Sequence, residues 1–376
     1  MGLFAQQPFK GAYALSAIAF ELVCMPFWLA KYFLASGRQI PSYTFRQALA
    51  VRVFYSFVYH ASACQIVTPL PLTPGKEKEK FVLLKPAPDS YYKGPLLSEY
   101  VKPVEIGATW YPAPLSAVPD LSNATVILHF HGGAYVVGDG RTEATGYLAT
   151  NLLKGTPATH VFAPQYRLST LPASKTSDPF PAALQDCLSS YLYLINTLGI
   201  SPKNIIISGD SAGANAAIAI LRYISEYGSD LGIPAPSAAL LWSPWIDLMA
   251  AFTGDFVRTH AEFGSDYISH AFTRWGCLAY AGLAGTSIFS NPYVTSLQKP
   301  FKTTVPLWAN AGSAEVLYSD VKRFTDMMEK EGNDITLDVT EGVPHDIILV
   351  GNTLGFDTQT RAQVKRAGEW VRGLNR

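Results

Sequence analysis

The chain has 376 residues, 48% of them hydrophobic and only 15% charged, so a large buried core is within reach and global disorder is excluded. Its 29 basic and 29 acidic residues cancel, and no basic stripe marks a nucleic-acid face. The four cysteines, Cys24, Cys64, Cys187 and Cys277, form no C-x-x-C pair, which argues against a zinc site or a disulfide framework and for four reduced, buried thiols.

In chain order, residues 11–34 come first: an apolar run of near membrane-span length, interrupted by Glu21, Pro26 and Lys31. No short apolar stretch ends in a small-residue cleavage site, so a secretory leader is not expected. Three placements stay open: a membrane anchor, a helix lying on a surface, or a lid over the protein's own pocket. They leave the chain either associated with the endoplasmic-reticulum membrane or cytoplasmic. The triplet Asn123-Ala124-Thr125 would carry sugar only in a secretory lumen. Residues 42–62 predict a second helix with Ser42 as N-cap. The charge run at 73–80 reads as a solvated boundary, which places an N-terminal helical segment at 1–75 and the main domain at 76–376.

Beyond that boundary, short apolar runs alternate with helical stretches. Strands are predicted at Val82–Lys85, Val101–Ile106, Thr125–Phe130, Thr159–Ala163, Asn204–Ser208, Ala238–Trp242, Val305–Asn310 and 335–340. Helices are predicted at 142–153, 180–198, 212–227, 316–331 and 358–373. This alternation implies an α/β fold with a mostly parallel, doubly wound sheet covered on both faces. Aromatic and glycine-rich sequence at about 246–290 breaks the alternation and is expected to form an inserted helical cap.

The stretch "IIISGDSAGANAA" at 205–217 holds Gly209-Asp210-Ser211-Ala212-Gly213 between a buried strand and an Ala-rich helix. Strand–turn–helix is the setting that projects a strained serine as a nucleophile, and the flanking glycines remove side chains that would collide around it. Ser211 needs a base. Among seven histidines, His345 in "EGVPHDI" lies in a loop after the last strand, where such a base belongs. Glu315 follows the strand at 305–310 and is the acid expected to orient His345. Asp320 falls further into the next helix and is expected to be a solvated or helix-stabilising carboxylate. "HFHGGAYVVGDG" at 129–140 follows another apolar strand. Its Gly132 and Gly133 allow backbone amides to face a developing oxyanion, with the amide of Ala212 as a further donor. His131 then stabilises the loop, and no ligand cluster accompanies it for a metal. Tyr135, Trp242 and Trp245 are candidate walls for a substrate pocket.

Together, His131-Gly132-Gly133-Ala134-Tyr135, "YRLS" at 166–169, "PFPAALQD" at 179–186, "GDSAG" at 209–213, "SPWIDL" at 243–248 and the Glu315/His345 pair resemble the hormone-sensitive-lipase-like branch of the α/β-hydrolase superfamily over residues 81–376. The resemblance implies carboxylic-ester hydrolysis without cofactor or metal, with Ser211, Glu315 and His345 as triad and Gly132, Gly133 and Ala212 as oxyanion donors. Ala134 stands where the branch commonly has a third glycine, Glu315 where it commonly has aspartate, and "YRLS" lacks the usual continuation. Residues 37–52 with their apolar lead-in resemble fungal steryl-acetate hydrolases and esterase-like enzymes of natural-product pathways. The expected partner is a hydrophobic small-molecule ester, with membrane association through 11–34. Acyl transfer or cyclisation on the same triad, and ligand binding without catalysis, are the competing functions.

Overall fold

In the computed structural model, the described residues are 2–115, 124–253 and 259–374; the triplet beginning at Asn123 therefore lies partly outside them. An eight-stranded sheet is described, in the order β1-β2-β4-β3-β5-β6-β7-β8. The strands are β1 (Phe81–Leu84), β2 (Ile106–Tyr111), β3 (Val126–Phe130), β4 (His160–Gln165), β5 (Ile205–Asp210), β6 (Ala238–Trp242), β7 (Leu307–Gly312) and β8 (Ile335–Thr340). β2 pairs antiparallel with β1 and β4, and the other pairings are parallel. The helices are α1 (Phe9–Phe33), α2 (Phe45–Cys64), α3 (Thr142–Gly155), α4 (Ala182–Leu192), α5 (Ala212–Leu231), α6 (Leu248–Phe252), α7 (His270–Ala281), α8 (Tyr318–Lys330), α9 (Ile347–Leu354) and α10 (Asp357–Leu374).

Strand period two divides the core into two layers. Ile127, Ile206 and Leu240 join one cluster with Leu148, Leu152 and Val364 from α3 and α10. Their neighbours Leu128, Ile207 and Leu241 join the other with Leu184 of α4 and Ile218 of α5. Both faces being covered explains why these strands read as continuous apolar runs.

Several expectations are corrected. The second strand lies at Ile106–Tyr111 rather than Val101–Ile106, because Pro103 has no amide to donate to a ladder. Helix α2 is capped by Thr44, not Ser42: the Thr44 side chain accepts from the Gln47 amide at 3.2 Å, and Gln47 Oε1 accepts from the Thr44 amide at 2.8 Å. The 73–80 run is not wholly solvated, since Glu77 is buried and its Oε1 accepts from the Thr142 amide at 3.0 Å, closing the start of α3. Helix α9, directly after His345, was not anticipated.

Between β6 and β7 the chain leaves the sheet through α6 and α7. Gly276 of α7 lies so close to the Gly132–Tyr135 loop that a Cβ there would sit 2.6 Å from the Ala134 carbonyl oxygen. α2 in turn packs on α7 and α9, and α1 packs on α2. Tyr43, just before α2, donates its hydroxyl to the Ser265 carbonyl at 3.2 Å.

Candidate active site

β5 ends in a turn that holds Ser211 at φ 51° and ψ −115°, a conformation strained for a residue with a Cβ. The strain is held by three backbone hydrogen bonds: the Ser211 amide to Trp242 O at 2.9 Å, and the amides of Trp245 and Asn215 to Ser211 O at 3.0 and 3.1 Å. The glycines on either side are required by contact distances. A Cβ on Gly209 would lie 2.3 Å from Gly213 O, and one on Gly213 would lie 2.0 Å from Phe130 O.

The loops after β7 and β8 meet this turn. His345 Nε2 lies 3.0 Å from Ser211 Oγ, and His345 Nδ1 lies 3.6 Å from Oε2 of fully buried Glu315. The second distance is slightly longer than a hydrogen bond; such contacts often tighten only when substrate engages. Burial pulls the His345 pKa down, but Glu315, Asp266 and Asp210 outweigh it, so His345 sits above its ordinary value.

Three supporting residues were not foreseen. Ser243, at φ 41°, donates its hydroxyl to Glu315 Oε2 at 2.6 Å and accepts from the Asp346 amide at 3.0 Å, tying the acid loop to the histidine loop. It opens the "SPWIDL" motif, so its signal was present. Asp266, from the segment between β6 and β7, accepts from the His345 amide at 3.2 Å and the Val316 amide at 2.9 Å. Burial, with Glu315 adding to it and His345 opposing, pushes Asp266 up to about 6. Nothing local in the sequence marks it. Asp210 is fully buried and accepts from the Gly132 amide at 2.8 Å, with His129 Nε2 at 2.9 Å. Burial pushes Asp210 up, yet the hydrogen bond and charge of His129 hold it below its ordinary value. Its neighbour Asp346 is driven well above its ordinary value by burial first and then by Asp210.

Gly132 is therefore corrected as an oxyanion donor, because its amide is already engaged by Asp210. The amides of Gly133, at φ 104°, and of Ala212, at the start of α5, have no internal acceptor among the described residues. His131 is buried, stacks on Tyr166 with centroids 4.2 Å apart and is lowered to about 4 by burial. It shapes the loop and does not reach Ser211.

Ser211, His345 and Gly133 share a cavity of about 210 Å³ with Tyr267, Phe272 and Trp275 from the segment between β6 and β7, Phe54 and Phe57 from α2, and Leu349 from α9. A larger cavity of about 440 Å³ beside Arg167 and Ser169 contains neither Ser211 nor His345, so size alone does not locate the chemistry. Tyr135, Trp242 and Trp245 are corrected as pocket walls. Tyr135 is fully buried, stacked on Tyr280 at 3.9 Å, and donates to Asn215 at 2.8 Å. Trp242 lies within the sheet core and donates to Ser208 at 3.1 Å. Trp245 is buried in the opposite core layer. Large aromatics next to a motif are more often packing than lining. Asp320 stands in the first turn of α8, in keeping with the helix-stabilising expectation, but it is buried rather than solvated, and burial with Asp247 pushes it up to about 7, against Arg323.

The chain is similar to an acetyl-hydrolase of Streptomyces hygroscopicus, 30% identical over 220 residues that cover 58% of this chain and 67% of that one. It is similar also to an esterase of Acinetobacter venetianus, 30% identical over 209 residues covering 56% and 63%. These alignments span about two thirds of each relative's own length. Among solved structures, an esterase of the bacterial hormone-sensitive lipase family superposes with a TM-score of 0.61 at 21% identity, over 89% of this chain and 99% of that one, which shows a shared fold. The sequence profile of the alpha/beta hydrolase fold matches residues 127–349, more than half of the chain. With the sheet order in place, the chain belongs to this alpha/beta hydrolase fold family.

Proposed function

We propose that the protein hydrolyses carboxylic esters of apolar small molecules, with Ser211 as nucleophile, His345 as base and Glu315 as the orienting acid. The observation that carries this reading is the 3.0 Å contact of His345 Nε2 with Ser211 Oγ on the wall of an apolar cavity. His345 takes the Ser211 proton while Oγ attacks the ester carbonyl carbon. The oxyanion is met by the amides of Gly133 and Ala212, neither of which has an internal acceptor among the described residues. Protonated His345, stabilised by Glu315 and oriented by the Asp266 acceptor on its backbone, then gives its proton to the departing alcohol oxygen. Water, deprotonated by the same imidazole, attacks the acyl-enzyme, and the carboxylic acid leaves.

Ser243 and Asp266 are positioning residues in this scheme, since they act through Glu315 and His345. Tyr267, Phe272 and Trp275 take the place of the earlier aromatic candidates as pocket walls. A cavity of about 210 Å³ favours a short acyl group, because drug-sized ligands fill about 300 Å³ or more. An acetyl-hydrolase among the relatives agrees with that. The resemblance of residues 37–52 to steryl-acetate hydrolases and natural-product esterases favours a bulky apolar alcohol. Fluorophosphonate treatment followed by peptide mass spectrometry tests the reading: the adduct is expected on Ser211, with p-nitrophenyl acetate turnover lost in parallel. An adduct elsewhere, or full activity after complete Ser211 modification, overturns it. Product analysis with the same ester in the presence of an added alcohol separates hydrolysis from acyl transfer.

A further inference from the structure

Helix α1 runs for 25 residues, about 37 Å at the α-helical rise, while a hydrocarbon core is about 30 Å thick. Its outer face is apolar: Ile18, Leu22, Phe27 and Phe33 are exposed, and Leu15 and Val23 are 72% and 79% exposed. Ser16, on the same face, donates back to the Ala12 carbonyl at 2.8 Å. The polar groups of α1 are turned toward α2. Glu21 accepts from Ser56 Oγ at 2.7 Å, with Arg52 at 3.5 Å and His60 at 3.4 Å, and the Tyr13 hydroxyl meets His60 Nδ1 at 2.8 Å. The acid that a free span would avoid is thus paired behind the helix. Lys10 and Lys31 stand near its two ends, placed to meet anionic headgroups.

A groove of about 410 Å³ lies between α1 and α2, lined by Ala14, Ile18, Leu22 and Val53 and reaching Phe57, Ala61 and Ile66. Phe57, Ala61 and Ile66 also line the cavity of Ser211 and His345. One turn of α2, with Ile66 two residues past the helix end, separates the groove from the cavity that holds the serine.

We propose that α1 lays its apolar face into a lipid bilayer and that the α1–α2 groove is the entrance by which apolar esters pass from the bilayer to Ser211. The entrance role rests on the esterase reading. A second copy of the chain is the competing occupant. Protein interfaces carry roughly one hydrogen bond per 100–200 Å², and this face presents aliphatic and phenyl groups with its serine already satisfied. A face of this length, apolarity and flanking charge fits lipid better.

The test uses the full chain with phosphatidylcholine vesicles, with and without phosphatidylserine. The protein should float with both, more strongly with phosphatidylserine. The double variant Leu15→Glu/Val23→Glu should lose flotation at least roughly tenfold and lose turnover of hexadecyl acetate held in the vesicles to a similar extent. Its turnover of p-nitrophenyl acetate in buffer should stay within about twofold, as both side chains are far from the core. Ala14→Trp, and independently Val53→Trp, fill the groove without adding charge. Both should float as the parent does and turn over the vesicle-held hexadecyl acetate several-fold more slowly. Flotation equal in parent and double variant overturns the lipid surface. A dimer in sedimentation velocity that never floats gives the face to a second copy instead. Plugged variants that process both esters like the parent overturn the entrance. A parent that floats but neither hydrolyses p-nitrophenyl acetate nor reacts with fluorophosphonate removes the esterase reading, and the entrance with it, while leaving the lipid surface standing.

Discussion

The Ser211 elbow and the α1–α2 pair treat polar and apolar groups in opposite ways. Around the elbow, carboxylates, hydroxyls and amides are drawn inward and held against one another: Asp266 on two amides, Ser243 between Glu315 and Asp346, Asp210 between His129 and Gly132. In the helical pair, the polar groups gather on the inner side of α1 and the apolar side chains face out. The first arrangement fixes atoms to within hydrogen-bonding tolerance, as chemistry on one carbonyl requires. The second fixes the orientation of a surface and leaves its contacts to a fluid partner. Substitutions should therefore separate the two regions, one affecting chemistry and the other attachment.

The largest effect is expected at Ser211, the proposed nucleophile. Ser211→Ala should lower kcat for p-nitrophenyl acetate by about five orders of magnitude or more and abolish fluorophosphonate labelling. Vesicle flotation should be unchanged, because the elbow and α1 share no contact. Undiminished labelling of folded Ser211→Ala protein would move the nucleophile to another residue.

Next comes Glu315, the proposed acid. Glu315→Gln should lower kcat by roughly three to four orders of magnitude, whereas Asp320→Asn should stay within about twofold. The pH profile sharpens the assignment. His345 must be neutral to accept the Ser211 proton, and Glu315 is the largest of the influences raising it against burial. The acid limb of kcat/KM should therefore lie above the ordinary histidine value of 6.5 in the parent and move down in Glu315→Gln. A reversed ranking of the two variants transfers the acid role to Asp320.

What could be read from the sequence divides along the same line. The turn that holds Ser211 was legible because strand, Gly-x-Ser-x-Gly and helix are contiguous, and each glycine answers to a contact within reach of that turn. The relation of Glu315 and His345 to Ser211 followed from strand ends, which a parallel sheet brings to one edge. Gly132 could not be judged locally, because the acceptor that occupies its amide is Asp210, on a neighbouring strand and 78 residues away. The same holds for the cavity walls, which come from α2, α7 and α9 as well as the segment around Tyr267. Two corrected elements carry local signals: Thr44 with Gln47 three residues on is a capping box, and Pro103 argues against a paired strand at 101–106. Helix α9 was hidden because its apolar run, 347–350, has no polar face to set a helical period.

A smaller effect belongs to the helical pair. Glu21→Ala leaves Arg52 and His60 without their shared acceptor at the α1–α2 contact. Differential scanning calorimetry should show a lower Tm, by roughly 2–4 °C for a change near 1 kcal/mol. The kcat for p-nitrophenyl acetate in buffer should hold, since the cluster lies on the far side of α2 from Ser211. A loss of kcat without a change in Tm would join the cluster to the chemistry and blur the distinction between the regions.

The smallest effect concerns a buried carboxyl that neither region uses. Asp320 Oδ2 has no hydrogen-bond partner, and burial together with Asp247 pushes the group up to about 7 from the usual 3.8. The sign follows from proton counting. Between those two values the folded protein holds a proton that the unfolded chain releases, so stability falls as pH rises through the window and the full cost is reached above about 7. Asparagine mimics the protonated form at every pH. The Tm difference between Asp320→Asn and the parent should be near zero at the acid end of the window and grow steadily toward its alkaline end. Asp266, raised to about 6, shows why the environment decides the outcome: its carboxylate holds the amides of His345 and Val316, so Asp266→Asn removes an acceptor and should lower kcat as well as Tm. Thermal scans of both variants across the window distinguish the cases. A Tm difference for Asp320→Asn that does not change with pH would mean that the folded protein does not hold the proton there, and that Asp320 pairs with a cation after all.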